Sequence, residues 1–286
     1  MAEIDLHTHS TASDGSLTPT QLVQLAESLG LRAIALTDHD TLAGLDEASE
    51  AARSVEVIRG CELSVVFPQG SMHVLGLWLP RTMRSLPALL QDLAAKRSAR
   101  NAAILENLRR HGVDIAPEEL DAFATGGVVG RPHIAQILVR KGHAATLAEA
   151  FHTWLRPGTP GYAPKAKLTP SQAISALKAE GATVILAHPY TLNQGPADLE
   201  TLLRELRHQG LDGVEVYYPL HSPSQTELYL SLCQRFGLLV SAGSDFHGDA
   251  KPSIHLGRGK NGLHGPYALV EKMKEVRQRL GLPTPP

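Results

Sequence analysis

Thr18-Pro19-Thr20-Gln21-Leu22-Val23-Gln24-Leu25-Ala26-Glu27-Ser28-Leu29-Gly30 runs through Leu31-Arg32 into Ala33-Ile34-Ala35-Leu36 and on to Thr37-Asp38-His39. Thr18 is of the type that caps a helix N-terminus, and proline suits the first helical position. Leu22, Leu25, Ala26 and Leu29 recur at helical spacing, and Gly30 suits the left-handed residue that ends a helix. Ala33 to Leu36 then reads as a strand buried on both faces, with Asp38 and His39 just past its end. The pattern returns from Thr169-Pro170-Ser171-Gln172 through Gly181 and Val184-Ile185-Leu186 to His188. It returns again from Ser222-Pro223-Ser224-Gln225 through Gly237 and Leu238-Leu239-Val240 to Asp245 and His247.

Repeated helix–strand units with fully apolar strands predict a parallel sheet covered by helices. A barrel of parallel strands gathers its C-terminal strand ends at one mouth, whereas an open sheet spreads them along a line. The barrel is therefore the expected form of this α/β chain. Strands are expected near Ile4, Ala33, Val55, Met72, Thr183, Gly213 and Leu238, about seven in all. Residues 81–165 break the rhythm and read as helices over Leu86 to His111, Pro117 to Phe123, Pro132 to Gly142 and Ala145 to Trp154. The expected organisation is a barrel domain from 1–80 and 166–286, with 81–165 as a helical insertion capping the C-terminal mouth.

Composition narrows the function classes. The chain has 286 residues, 43% of them hydrophobic, and a formal net charge of −2. That charge disfavours a protein that coats long duplex nucleic acid, and no apolar run reaches the ~20 residues of a membrane span. Two cysteines and no export signal at the start make a reducing cytoplasm the expected location. The insertion carries 12 Lys and Arg against 7 Asp and Glu, so a basic segment faces an otherwise acidic chain. A basic cap over an otherwise acidic barrel suits an anionic substrate.

Seven short blocks carry the chemistry: Asp5-Leu6-His7-Thr8-His9, Ser13-Asp14-Gly15, Thr37-Asp38-His39, Cys61-Glu62, Met72-His73, Ala187-His188-Pro189 and Ser244-Asp245-Phe246-His247. Imidazole nitrogen with carboxylate oxygen is the ligand set of a hydrolytic divalent-metal site. His7 and His9 are two apart, so an extended strand turns both to one side, and Asp245 and His247 repeat that spacing. Asp5 is either a ligand or the partner that orients a ligand histidine. Glu62, at a strand end, has two oxygens with which to bridge two metals. Glu215 ends another strand, either beside the ligands or in a structural role.

Together these blocks resemble the polymerase and histidinol phosphatase (PHP) family. The resemblance implies a distorted (β/α)7 barrel with two or three divalent metals. It places His7, His9, Glu62 and Asp245 on a first metal, Glu62, His73 and His188 on a second, and Asp14, His39 and His247 on a third. Mn²⁺ is the expected ion, with Fe²⁺, Zn²⁺ and Mg²⁺ as alternatives. The broader amidohydrolases share the opening His-x-His, but many bridge their metals with a carboxylated lysine, where Glu62 stands here. Gly130-Arg131-Pro132-His133 and the insertion are similar to a branch of phosphoesterases acting on 3′,5′-nucleoside bisphosphates or short oligonucleotides. In that likeness Arg131, His133 and Lys165 contact phosphate.

The expected reaction is hydrolysis of a phosphomonoester of a 3′,5′-nucleoside bisphosphate, at the 3′-phosphate, by a hydroxide held between the first two metals. Asp245, Glu62 and His247 are the expected catalytic residues. The alternatives are a 5′–3′ exonuclease on short oligonucleotides, a histidinol phosphate phosphatase, and a metal-stabilised nucleotide-binding or polymerase-accessory module without turnover. The expected partner is a small phosphorylated molecule, a nucleotide or short oligonucleotide, with neither long duplex nor membrane involved.

Overall fold

A computed structural model describes residues 2–122, 129–164, 166–259 and 262–284. The chain divides into two compact units, Met1–Pro87 with Leu168–Pro286, and Ala88–Lys167. In chain order the elements are β1 (Ile4–Thr8), α1 (Pro19–Ser28), β2 (Ala33–Leu36), α2 (Leu45–Ala51), β3 (Glu56–Val65), β4 (Met72–Leu77), α3 (Leu86–Arg110), α4 (Pro117–Asp121), α5 (Arg131–Arg140), α6 (Leu147–Ala150), α7 (Pro170–Ala179), β5 (Thr183–Leu186), α8 (Pro196–His208), β6 (Gly213–Tyr217), α9 (Pro223–Phe236), β7 (Leu239–Ala242) and α10 (Ala268–Arg279).

The three repeated openings form the same cap. Thr18, Thr169 and Ser222 each accept, on the side-chain oxygen, the backbone N–H of the glutamine three residues on, and that glutamine accepts the cap residue's own N–H. Two otherwise orphaned donors are satisfied at each helix start. Gly30, Gly181 and Gly237 follow these helices at φ 72°, 74° and 61°, where a side chain would be strained. Each helix thus stops within a few residues of its strand.

Seven strands pair in sequence order, β1 to β7. Past the strand ends, Thr8 bridges Phe246 in parallel, with His9 N–H on the Phe246 carbonyl at 2.9 Å and Asp245 N–H on the His7 carbonyl at 2.9 Å. This seam draws the two edges of the sheet together, as the expected distorted barrel requires. One expectation is corrected: the barrel is not all-parallel, because β4 is antiparallel to both β3 and β5. The short link from Val65 to Met72 permits a hairpin, whereas a parallel return needs a crossover of a dozen or more residues. The reversal sets the start of β4 at the end where the other strands finish.

The core of this unit joins Ile4, Leu6, Ala35, Ile58, Leu75 and Ile185 from the strands to Val270 and Met273 of α10. Arg277 of α10 is buried, lies over the Trp78 ring at 5.2 Å and donates to the Gly181 carbonyl and the Thr183 hydroxyl at 2.9 and 3.0 Å. The second unit packs Ile104, Leu108, Ile134, Ile137, Leu138 and Leu155 into a core of its own. Among the described residues no helix is long and apolar enough to cross a membrane.

Candidate metal centre

The ligand-type residues come from the ends of β1, β2, β5 and β7, from the loop after β1, and from the β3–β4 hairpin. His7 lies in β1 and His9 just past it, while Asp14 sits in the following loop. His39 follows β2, His188 follows β5, and Asp245 and His247 follow β7. Glu62 stands inside β3 rather than at its end, and His73 is the second residue of β4. The antiparallel register, Glu62 opposite Leu75 and Ser64 opposite His73, returns His73 to the mouth.

Glu62 is the centre of the array and is fully buried. Its Oε2 lies 3.4 Å from His7 Nε2, 3.3 Å from His9 Nε2 and 2.7 Å from His39 Nδ1. Its Oε1 lies 2.8 Å from His73 Nδ1 and 3.1 Å from His188 Nε2. Asp245 Oδ1 is 3.2 Å from His9 Nε2 and 3.7 Å from His7 Nε2. Asp14 lies 3.3 Å from His247 Nε2, 3.8 Å from His39 Nε2 and 3.9 Å from His9 Nδ1. Four ligands about 2.1 Å from a common point at tetrahedral corners are about 3.4 Å apart, close to the spacing of His7, His9, Glu62 and Asp245.

Three donor groups, each within 4.8 Å, emerge among the described residues: His9, Asp14, His39 and His247; His7, His9 and Glu62; and His39, Glu62 and His73. They overlap more than the family grouping implies. His9 turns Nε2 to Glu62 and Nδ1 to Asp14, while His39 turns Nδ1 to Glu62 and Nε2 to Asp14. Glu62 therefore joins two groups through its carboxylate, and His9 and His39 join groups through their two ring nitrogens.

The donor atoms themselves test whether a cation suits the cage. His7 Nε2, both nitrogens of His9, His39 Nδ1 and Glu62 Oε2 are buried and have no hydrogen-bond partner. Buried polar atoms are almost always satisfied, so five such atoms, each facing another ligand-type group, match coordination by divalent ions. The ring nitrogens facing away are held. His7 Nδ1 is 3.0 Å from Glu215 Oε1, which makes Nδ1 the protonated nitrogen and leaves Nε2 as the ligand. His247 Nδ1 is 2.8 Å from the Asp245 carbonyl, with the same consequence. The other oxygen of Glu215 accepts the His188 N–H at 2.7 Å, where the backbone is strained at φ 27°. Asp245, at φ 58°, is a second strained ligand. Such conformations cost about 1–3 kcal/mol each and persist where surrounding contacts enforce them.

The electrostatics follow from burial and crowding. Burial pushes His73 down to about 4, despite the attraction of Glu62, so its imidazole is neutral and ready to ligate. Burial acts the same way on His9, but Asp245 and Glu62 outweigh it and raise His9 to about 9. Burial would raise Glu62 and Asp245, yet the surrounding histidines hold both well below the carboxylate range. Cys61, next to Glu62, is raised by burial and by Asp40, Glu62 and Asp38, so it remains a thiol.

Asp5 and Asp38 act as braces. Asp5 accepts N–H groups of Ser244 at 2.8 Å and Gly257 at 2.9 Å, tying β1 to the loop that carries Asp245. Asp38 accepts the hydroxyls of Ser10 at 2.6 Å and Ser13 at 2.5 Å, which fixes the loop bearing Asp14. Sequence reasoning missed the serine clamp, the Tyr218 hydroxyl on Asp245 Oδ2 at 3.1 Å and Lys251 Nζ on the same oxygen at 2.7 Å. A lone carboxylate in the apolar run Gly213-Val214-Glu215-Val216 was the available signal for Glu215. Tyr218 and Lys251 have no comparable mark.

The residues expected to meet substrate lie in the second unit. Arg131 begins α5 and donates to the Leu155 carbonyl at 3.3 Å. His133 has a capping contact that the sequence reading did not foresee, its Nδ1 accepting the Gly130 N–H at 3.0 Å. Lys165 is outside the described residues. Burial first, and then repulsion from Arg131 and Arg97, lower Arg100 to about 10, so three guanidinium groups crowd within this unit.

A match to the PHP domain covers residues 5–156. A protein named 5′-3′ exoribonuclease Rnm, from Escherichia coli, is 33% identical over 282 residues, which span 96% of this chain and 96% of that protein. A 3′,5′-nucleoside bisphosphate phosphatase from Chromobacterium violaceum is 32% identical over 257 residues, spanning 86% of this chain and 88% of the relative. A solved structure of a candidate metal-dependent phosphoesterase from Bifidobacterium adolescentis superposes with a TM-score of 0.81 at 31% identity, over 96% of each chain. With the domain matched over more than half its length and relatives aligned nearly end to end, the chain belongs to the PHP domain family, as a metal-dependent phosphoesterase.

Proposed function

We propose that this chain breaks the bond between phosphorus and the 3′ oxygen of a nucleoside that also carries a 5′-phosphate. The substrate of this reading is a 3′,5′-nucleoside bisphosphate, and the 3′-phosphate is released. The carrying observation is the buried Glu62 carboxylate, with two histidines against one oxygen and three against the other. In this reading His7, His9, Glu62 and Asp245 hold one divalent ion, Glu62, His73 and His188 a second, and Asp14, His39 and His247 a third, with Mn²⁺ as the ion. When bound, such ions supply Lewis acidity at phosphoryl oxygens and activate water at neutral pH. The protein's own part is positional: Glu215 fixes the His7 ring, Asp5 fixes the Asp245 loop, and Glu62 keeps the ligand groups adjacent.

The crowded arginines supply the second half of the reading. Arg100 is 7% exposed, with Asn101 Oδ1 as its acceptor at 2.8 Å and like-charged Arg97 and Arg131 nearby. Clustered guanidinium groups suit phosphate, which offers a planar fork its oxygens. Arg131, His133 and Lys165 are the proposed contacts to the substrate's phosphates.

A 5′–3′ exonuclease acting on short strands is the second reading, favoured by the 96% span of the Escherichia coli relative. Cleavage after the first nucleotide of a 5′-phosphorylated strand also breaks a phosphorus–O3′ bond, so one active site serves both. Histidinol phosphate is less well served. Its amine calls for a carboxylate, and Glu119 of the second unit is already paired with Lys141 at 2.6 Å. The buried, unpaired Cys61 and Cys233 favour a reducing compartment, the cytoplasm.

The test is phosphate release by Mn²⁺-loaded protein from adenosine 3′,5′-bisphosphate, AMP and histidinol phosphate, with nucleotide release from a 5′-phosphorylated trinucleotide run beside them. Turnover of the bisphosphate at least about tenfold above AMP and histidinol phosphate is expected. Preference for histidinol phosphate, or equal use of AMP, would overturn the reading.

A further inference from the structure

Asp245 divides its two oxygens between two tasks. Oδ1 faces His9 and His7, while Oδ2 accepts from Lys251 Nζ at 2.7 Å and from Tyr218 at 3.1 Å. Lys251 stands at the rim of the cage, its side chain 42% exposed, beside an Asp245 side chain that is 7% exposed. The ammonium also lies within electrostatic reach of Glu62 and Asp14, so it faces all three carboxylates of the ligand groups. Its backbone is fixed to the same loops. Lys251 N–H bonds the Gly248 carbonyl, Asp249 N–H bonds the Ser16 hydroxyl, and Ser16 N–H bonds the His247 carbonyl.

An ammonium has three donors, and among the described residues Asp245 is the hydrogen-bond acceptor of Lys251. The remaining donors belong to a half-exposed group beside the place where phosphoryl oxygens must come. Asp245, itself fixed by the Tyr218 hydroxyl, holds the lysine in place, so little ordering is needed when an anion arrives. We propose that Lys251 is a substrate-contacting residue, its ammonium donating to a non-bridging oxygen of the phosphoryl group under attack while Asp245 Oδ2 anchors it. This rests on the phosphoesterase reading, but not on the nucleoside as substrate. It also gives Asp245 an anchoring part beside the ligand part read from the sequence, because Oδ2 holds Lys251 while Oδ1 faces the cage.

The experiment compares wild type with Lys251→Met and Lys251→Arg, each loaded with Mn²⁺. Three quantities are read: metal equivalents by elemental analysis, the Kd for inorganic phosphate by calorimetry, and KM and kcat for adenosine 3′,5′-bisphosphate. Lys251→Met is expected to keep the wild-type metal content and to bind phosphate about ten- to a hundredfold more weakly, the size of a charge-assisted hydrogen bond. Lys251→Arg, which retains the charge, is expected to stay within about tenfold of wild type. Unchanged phosphate affinity in Lys251→Met would overturn the proposal. So would loss of metal in both variants, because Lys251 would then only neutralise Asp245. Wild-type protein that binds phosphate through Lys251 but leaves the bisphosphate intact would remove the nucleotide reading and keep this one.

Discussion

His9 shows how one side chain couples the cage to pH. Burial opposes its charge, but Asp245 and Glu62 raise it to about 9, so at pH 7 and without a cation it carries a proton. A metal must displace that proton to ligate Nε2. Affinity therefore rises as pH rises toward 9 and flattens above it, by about tenfold per unit for this one proton. Competition of Mn²⁺ against a chromophoric chelator at pH 6, 7 and 8 reads the slope, and a flat profile would mean that His9 is neutral throughout. The blocks that contain the cage were legible in the sequence because histidine and carboxylate after apolar runs form a chemical pattern. Glu215, Tyr218 and Lys251 were not assigned. A glutamate in a strand, a tyrosine and a lysine in a loop have ordinary explanations until the fold brings them to His7 and Asp245.

At the scale of elements, the helix starts and strand ends were written locally. Each Thr/Ser-Pro-Ser/Thr-Gln opening formed a cap, and each glycine formed a helix stop. The direction of β4 was not written locally, because the run Met72–Leu77 is apolar whichever way it lies. Only the link before it, too short for a crossover, holds that information. The closure of the barrel has its own tight point at Gly243. A Cβ there would stand 2.3 Å from His7 Cβ and close to Glu215 Oε1. Gly243→Ala is expected to cost about 1–3 kcal/mol by overpacking and to lower metal content by displacing His7. Thr169→Ala, at a cap that bonds Gln172 and no cage residue, is expected to cost about 1 kcal/mol and to leave metal content intact. Thermal unfolding and elemental analysis of both variants check the pair. Full metal retention in Gly243→Ala would show that the seam is looser than its distances.

Across the whole molecule, a family of scattered blocks becomes one site because the strands finish at one end and the one reversed strand begins there. That convergence explains why His73, early in an antiparallel strand, meets His188, which comes after a parallel one. The shared member is Glu62, the only residue whose side chain touches histidines from β1, β2, β4 and β5 together among the described residues. Cohesion of the cage depends on that carboxylate. The most direct test is to count Mn²⁺ equivalents bound by wild type and by Glu62→Gln under saturating metal. Two to three equivalents are expected for wild type and at most one for the variant, with turnover reduced by more than about a thousandfold, the scale of losing a main electrostatic contribution to catalysis. A Glu62→Gln protein that keeps the wild-type metal count and turnover would contradict the account.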